Sequence, residues 1–460
     1  MRGAAADGGE RGAQGLRALL SLAWPIVVSR SSQVVVGIAD AVMVAHLGTA
    51  ALAATTAGAL NAFNFFILPM GTVFIVSSFS SQLYGMGDLR GARRYAWYGL
   101  AVAAGAAVLG AASLPLVPAL LSALPYSPEV RDLMSDYLRI RLLSAGAVVG
   151  IEALANYYGG LGNTRLPMRA SVAAMLLNVA GCWVLIDGRL GAPALGVRGS
   201  AIAGAGASTA AFLGLLAVFV ADGRRLGGTG PLRAGELLRL LRYGLPSGLN
   251  WFLEFLAFSF FTNVVVAGLG TTSVAALMTV FQVNSAAFMP AFGVASAGAI
   301  LVGQAIGSGG KDRVPGTVGL AFAVAAAWEG LAGLAYLVAP DLLLAGFARD
   351  PASAQALVET ARRMLFLSVA WQLFDAGASV LAEALRAAGD TAFTLWARVA
   401  IAWLVFAPGS WISVRVLGGG DLAAVAWLVA YLGLLALVLW ARFRSGAWRR
   451  IVLVEPLPLA

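Results

Sequence analysis

Six carboxylates stand where water should be scarce. Asp40, Glu152, Glu254, Glu329, Asp375 and Glu383 each fall well inside a stretch dominated by apolar residues and glycine. A lone carboxylate at the centre of an apolar membrane helix costs about 2.5–3.5 kcal/mol on insertion scales, so such residues face a cavity or a partner. Four of them lie on three polar stripes. Arg30, Gln33, Gly37 and Asp40 recur at helical spacing and share one face, as do Ser247, Asn250, Glu254 and Thr262. The longest stripe runs Ser368, Gln372, Asp375, Ser379, Glu383 and Arg386. Stripes of this kind imply water-filled walls, where a carboxyl can take a proton from one compartment and yield it when a cation or water arrives. Some of the acids have plainer readings. Glu383, three residues before Arg386, suits a local ion pair near a cytoplasmic mouth, and Glu152 and Glu329 suit buried, hydrogen-bonded structural roles. Arg30 suits snorkelling toward the inner surface, or a place on a cytoplasm-facing vestibule.

Other chemistry is excluded by what is scarce. The chain has one cysteine, Cys182, and one histidine, His46, so neither an intrachain disulfide nor a histidine metal cluster or Ser-His-Asp triad can be assembled. Cys182 reads as a small buried hydrophobe and His46 as an outer-surface residue. The net charge of +9 comes from scattered cations with no basic run among exposed aromatics, which argues against nucleic acid. The only lysine is Lys311, and no Gly-x-x-x-x-Gly-Lys-[Ser/Thr] loop is present. An ATP-driven cycle and an enzyme activity are therefore not expected.

The elements that must position these residues are membrane helices. Hydrophobic residues make up 60% of the 460-residue chain and charged residues 12%, and the mean hydropathy is +0.84, far from a water-soluble domain. A window of about 20 residues predicts twelve spans between residues 21 and 441. With both termini in the cytoplasm, most cations fall on the inner side, Arg386 and Arg398 among them, while Arg141 and Arg349 fall outside. The segment before residue 21 lacks a signal-peptide core. The expected organisation is a cytoplasmic tail over 1–20, a six-helix bundle over 21–220, a Gly/Pro/Arg-rich cytoplasmic linker over 221–239, a second six-helix bundle over 240–441 and a cytoplasmic tail over 442–460. The two halves look duplicated. Pro25 pairs with Pro246 and Pro69 with Pro290, both 221 residues apart, and each half has a Leu-Gly-Thr exit at Leu47-Gly48-Thr49 and Leu269-Gly270-Thr271. Gly162-Asn163-Thr164 likewise pairs with Gly389-Asp390-Thr391. Parallel repeats of this kind suit alternating access to a site between the halves.

At these residues the chain resembles the multidrug and toxic compound extrusion (MATE) family, in particular its NorM-type branch. The resemblance rests on Pro25 through Gln33 with Gly37-Ile-Ala-Asp40, Gly244-Leu-Pro246 with Glu254, Asp375 with Arg386 and Gly389-Asp390-Thr391, Leu177-Asn178, and Gly191-Ala192-Pro193 with Gly196-Val197. It runs from about residue 20 to 440. It implies an all-α fold of twelve transmembrane helices in two pseudo-symmetric bundles, with Na+ or H+ entry driving expulsion of organic, often cationic, compounds. Carried over by position, Asp40 is the carboxylate of the first half, and Glu254 and Asp375 form the cation site of the second and the Na+ candidate. Gln282 or Asn250 would complete that shell with amide oxygens. Gln33, Asn250, Gln282 and Gln372, with Phe258, Trp371 and Phe374, are the candidate cavity residues, the rings suiting a flat hydrophobic cation. Asn178 is the polar partner in the first half. Family members follow this Asn one turn later with another Asn or an Asp, whereas this chain has Cys182, a soft and weak ligand. That departure points any Na+ to Glu254 and Asp375 and leaves Asp40 to a proton or the substrate's charge.

The expected protein is thus a monomeric inner-membrane antiporter with lipid and a small organic molecule as partners, and no cofactor beyond the coupling ion. Isosteric neutralisation of Asp375 or Glu254 is expected to stop efflux while sparing expression. Two alternatives differ in the cavity they need. A lipid-linked oligosaccharide flippase of the same superfamily needs several cations there, and Arg30 alone is expected inside a span. A membrane-embedded transferase needs clustered acids for Mg2+, whereas these acids are spread over many spans.

Overall fold

A computed structural model of the chain describes residues 2–123, 126–225, 228–345 and 351–455. Residues 1 and 456–460 of the expected tails, 226–227 of the expected linker, and Arg349 lie outside the described residues. The described residues form helices and no strands. Among the described residues, eleven helical segments are long and apolar enough to cross a membrane. The remaining expected span, 133–157, folds as two helices meeting at Ser144, and the first carries Glu129, Arg131, Asp132, Asp136, Arg139 and Arg141. Its charge hides it from a test of composition, but it completes the twelve-segment architecture of an all-α membrane protein.

The chain divides into two compact units. The N-terminal unit, Val28–Gly248, takes in the end of α1 (Arg2–Ala45), then α2 (Thr49–Val73), α3 (Ile75–Gly85), α4 (Leu89–Ser113), α5 (Val117–Ser122), α6 (Pro128–Leu143), α7 (Ala145–Gly160), α8 (Arg165–Leu185), α9 (Val197–Arg225) and the start of α10 (Ala234–Phe260). Helix α1 is thus helical well before residue 21, where the first span is expected to begin. Lipid tails supply no hydrophobic drive between helices, so these helices associate by close approach of small residues. A Cβ on Gly71 would lie 2.7 Å from the Gly248 Cα, and one on Gly110 2.5 Å from the Leu142 carbonyl oxygen. Val44, Tyr137, Cys182, Ile186 and Val197 form one buried cluster, which holds the end of α1 against α6, α8 and α9.

The C-terminal unit comprises Met1–Val27 and Leu249–Ala460. After α10 it contains α11 (Thr271–Gly307), α12 (Val314–Val338), α13 (Pro340–Leu344), α14 (Pro351–Ala388), α15 (Thr391–Ala400), α16 (Ala407–Trp411) and α17 (Gly420–Arg444). Wide π-helical turns follow α10 at Phe261–Val266 and α15 at Ile401–Phe406. Their rings meet, Phe261 on Phe406 at 5.0 Å and Phe406 on Tyr431 at 5.2 Å between centroids. Turns of this type interrupt regular helices and recur near functional sites.

The duplication read from the sequence appears in the backbone. Gly48 (φ 112°, ψ 170°) and Gly270 (φ 110°, ψ 169°) adopt the same positive-φ conformation before the second helix of each repeat. Side chains rarely tolerate it, and glycine does. Gly162 (φ 84°) and Gly389 (φ 90°) repeat the correspondence at the other turn.

Candidate functional site

In the N-terminal unit Asp40 is half-buried near the end of α1. Asn178 Nδ2, on α8, donates to its Oδ1 at 3.3 Å. One turn on, the Cys182 thiol lies 3.3 Å from the same oxygen and 3.2 Å from Asn178 Oδ1, and its single hydrogen serves one of them at a time. Both partners are buried. These groups stand on the wall of a cavity of about 340 Å³ whose polar lining includes Gln33, Asp40, Arg141, Glu152, Ser171 and Asn178, and whose apolar lining includes Phe63, Phe66, Met70 and Met175. Gly204 makes room for the Arg141 guanidinium, since a Cβ there would lie 2.8 Å from Nη1. The Arg141 Nε is buried with no hydrogen-bond partner among the described residues.

Arg30 does not snorkel. Its Nη2 and Nη1 reach Glu152 Oε1 at 2.6 Å and Oε2 at 3.3 Å, a bidentate pair that Asn156 Nδ2 extends at 3.2 Å. The guanidinium also lies over the Phe74 ring, 5.2 Å from its centroid. Glu152 is therefore a satisfied structural acid, and it neutralises the cation that the first stripe placed in the membrane.

In the C-terminal unit Glu254 on α10 is ion-paired with Arg398 on α15, and the Tyr431 hydroxyl on α17 donates to its Oε1 at 3.3 Å. Asp375, half-buried on α14, feels both Glu254 and Arg398 electrostatically. Glu254 is thus paired with an internal cation, and Asp375 feels the charges of both. Arg398, counted among the cytoplasmic cations in the sequence, belongs to the site. The signal was its position seven residues into α15, a full two turns from the helix start. Arg141, which the sequence reading used only as a topology marker, lines the Asp40 cavity.

The other expected residues divide by exposure. Gln33 is exposed and shares the Asp40 cavity. Asn250 is half-buried on α10, and its Oδ1 has no hydrogen-bond partner among the described residues. Trp371 and Gln372 are buried in packing, Gln372 donating to the Asn284 amide oxygen. Phe258 stacks obliquely on Phe281 at 5.4 Å, and Phe281 lies 6.3 Å from Trp371. Gln282 and Phe374 are exposed, Phe374 lying against Gly433. Glu383 and Arg386 form a buried pair, with Nε donating to Oε1 at 3.2 Å. His46 is exposed and hydrogen-bonded to Asp187 at 2.8 Å. No cluster of three or more His, Cys, Asp or Glu suited to a metal occurs among the described residues.

Comparison with known proteins places this architecture. The MatE family model matches residues 25–184 and 246–412, one stretch in each repeat. The chain belongs to the MatE family. Across curated relatives, this MatE chain is 33% identical over 443 residues to a "Probable multidrug resistance protein NorM" of Deinococcus radiodurans, covering 93% of this chain and 95% of the relative. It is 30% identical over 429 residues to the protein of the same name from Pseudomonas putida, covering 91% of each. Its fold matches a crystal structure of MATE in complex with MaL6 with a TM-score of 0.86, at 21% identity, over 95% of this chain and 98% of that one. The MatE chain is a multi-pass membrane transporter, not an enzyme.

Proposed function

We propose that the protein is a secondary active multidrug exporter, which expels organic, cationic amphipathic compounds across the inner membrane in exchange for Na+ or H+. It acts as a monomer with both termini cytoplasmic and needs no resident cofactor beyond the coupling ion. The observation that carries this reading is Asp40, a half-buried carboxylate on the wall of a cavity of about 340 Å³ that is otherwise lined largely by apolar side chains. A space of that size accepts a small organic cation, which the carboxylate attracts and the Phe63 and Phe66 faces bury. The relatives, probable multidrug resistance proteins by name, support the same substrate class.

A lipid-linked oligosaccharide flippase would draw on Arg141 in that cavity. Asp40 on the same wall, and Glu152 on Arg30, set an acid beside each cation, which disfavours a diphosphate. The deciding experiment is dye and drug efflux from vesicles of an efflux-deficient host, with Na+ and H+ gradients imposed separately. Gradient-driven efflux that Asp40→Asn abolishes is the expected result. Efflux of cationic dyes that no gradient accelerates, or that Asp40→Asn leaves at the parental rate, overturns the reading.

A further inference from the structure

Glu329 has no account in the site described above. It lies in the middle of α12 with 0% of its surface exposed, and both carboxyl oxygens are buried without a hydrogen-bond partner among the described residues. Buried acids are normally hydrogen-bonded, and the sequence reading expected that of Glu329. The helices packed against α12 supply little to satisfy it. Helix α11 contains no ionisable side chain. From α14 the group that acts on Glu329 is Asp375, a like charge; on its own helix Tyr336, which feels Glu329, has its hydroxyl donating instead to the Val283 carbonyl oxygen at 3.4 Å. No cation faces it among these groups. An ionised carboxylate without a donor or counter-ion in such surroundings is strongly disfavoured, and binding a proton removes that cost.

We infer that Glu329 is a proton-binding group of the C-terminal unit, whose hold on its proton answers to the charge at Asp375. The inference rests on the reading of this chain as an ion-coupled exporter for its purpose, but not for its test. The balance is simple. A proton from water adds to the Glu329 carboxylate to give the neutral acid, and loss of that proton returns the charge. When Asp375 is ionised, its charge makes ionisation of Glu329 more costly; a cation bound at Asp375 relieves that cost and releases the Glu329 proton. The link gives cation arrival and proton departure one shared electrostatic term, without any new contact. Glu329 is then a positioning group for charge in the coupling reaction rather than a direct substrate contact.

The test uses the purified full-length protein in detergent and needs no transport. Infrared spectra of the parent at neutral pH should contain the C=O stretch of a buried carboxylic acid, shifted in deuterated buffer. Glu329→Gln, which keeps the shape and neutrality of the acid, should lose that band. Asp375→Asn should keep it and move the pH at which it disappears by about one unit. Addition of Na+ should release protons from the parent and at least twofold fewer from Glu329→Gln. No band in the parent, a band that survives Glu329→Gln, or a band whose pH midpoint ignores Asp375→Asn would each overturn the inference. If the spectra behave as described while the parent moves no substrate, the exporter reading fails and the proton site stands.

Discussion

Arg398 is the residue whose removal tests the C-terminal site most directly. Its side chain is 14% exposed and that of its partner Glu254 is 29% exposed, so solvent screens the pair only in part. At contact distance and an effective dielectric of about 20, the attraction is about 4 kcal/mol. Arg398→Ala removes the cation paired with Glu254, while Asp375 still feels the Glu254 charge. The general cost of stranding one member of a buried pair is about 3–5 kcal/mol. The Tyr431 hydroxyl still donates to Glu254, which offsets about 1 kcal/mol. A net loss of about 2–4 kcal/mol follows for Arg398→Ala. Replacing both partners, Arg398→Leu with Glu254→Met, should cost under about 1 kcal/mol because no charge is stranded. Reversible unfolding in mixed micelles, run as a double-mutant cycle, measures the coupling as the failure of the two losses to add. Strictly additive losses would refute the ion pair as a structural element, and with it the place of Arg398 in the site.

Three further outcomes are expected. Asp375→Asn should abolish ion-driven efflux in vesicles at near-parental membrane yield, whereas Glu254→Gln should also lower yield, by stranding Arg398; equal yields would show that the pair contributes nothing. This revises the expectation that both neutralisations spare expression. Cys182→Asn supplies an amide oxygen beside Asp40, yet Na+ binding followed by calorimetry should be unchanged and should vanish in Asp375→Asn; tight Na+ binding gained by Cys182→Asn alone would place the ion in the N-terminal unit. Arg386→Ala should cost about 3–5 kcal/mol and much of the protein yield, since it strands the buried Glu383; an unfolding midpoint at the parental value would count against that pair.

Much of this protein was legible in the one-dimensional pattern. The apolar spans, the two repeats and the polar stripes are periodic, and periodicity survives without any knowledge of neighbours. The Gly48 and Gly270 correspondence is of this kind: only glycine suits the conformation, so the residue type announces the backbone in both halves. Asp40, Glu254 and Asp375 could be singled out because an acid in an apolar helix is costly wherever the helix goes.

What an acid faces was another matter, because it depends on which helices meet. Arg30 and Glu152 are 122 residues apart in the chain, and their pairing turns an anomalous cation into a neutral structural link. Arg398 was read only as a topology marker for the same reason. Its position in the span was visible, but its partner lies on another helix and no spacing rule connects them. Cys182 was legible as a soft residue one turn after Asn178, but only packing decided that its thiol reaches Asp40. Glu329 ran the other way, since burial without partners is a property of every neighbour at once. Sequence periodicity fixes the face of a helix on which a charge sits, and only tertiary packing decides whether a donor, an opposite charge or nothing stands across from it.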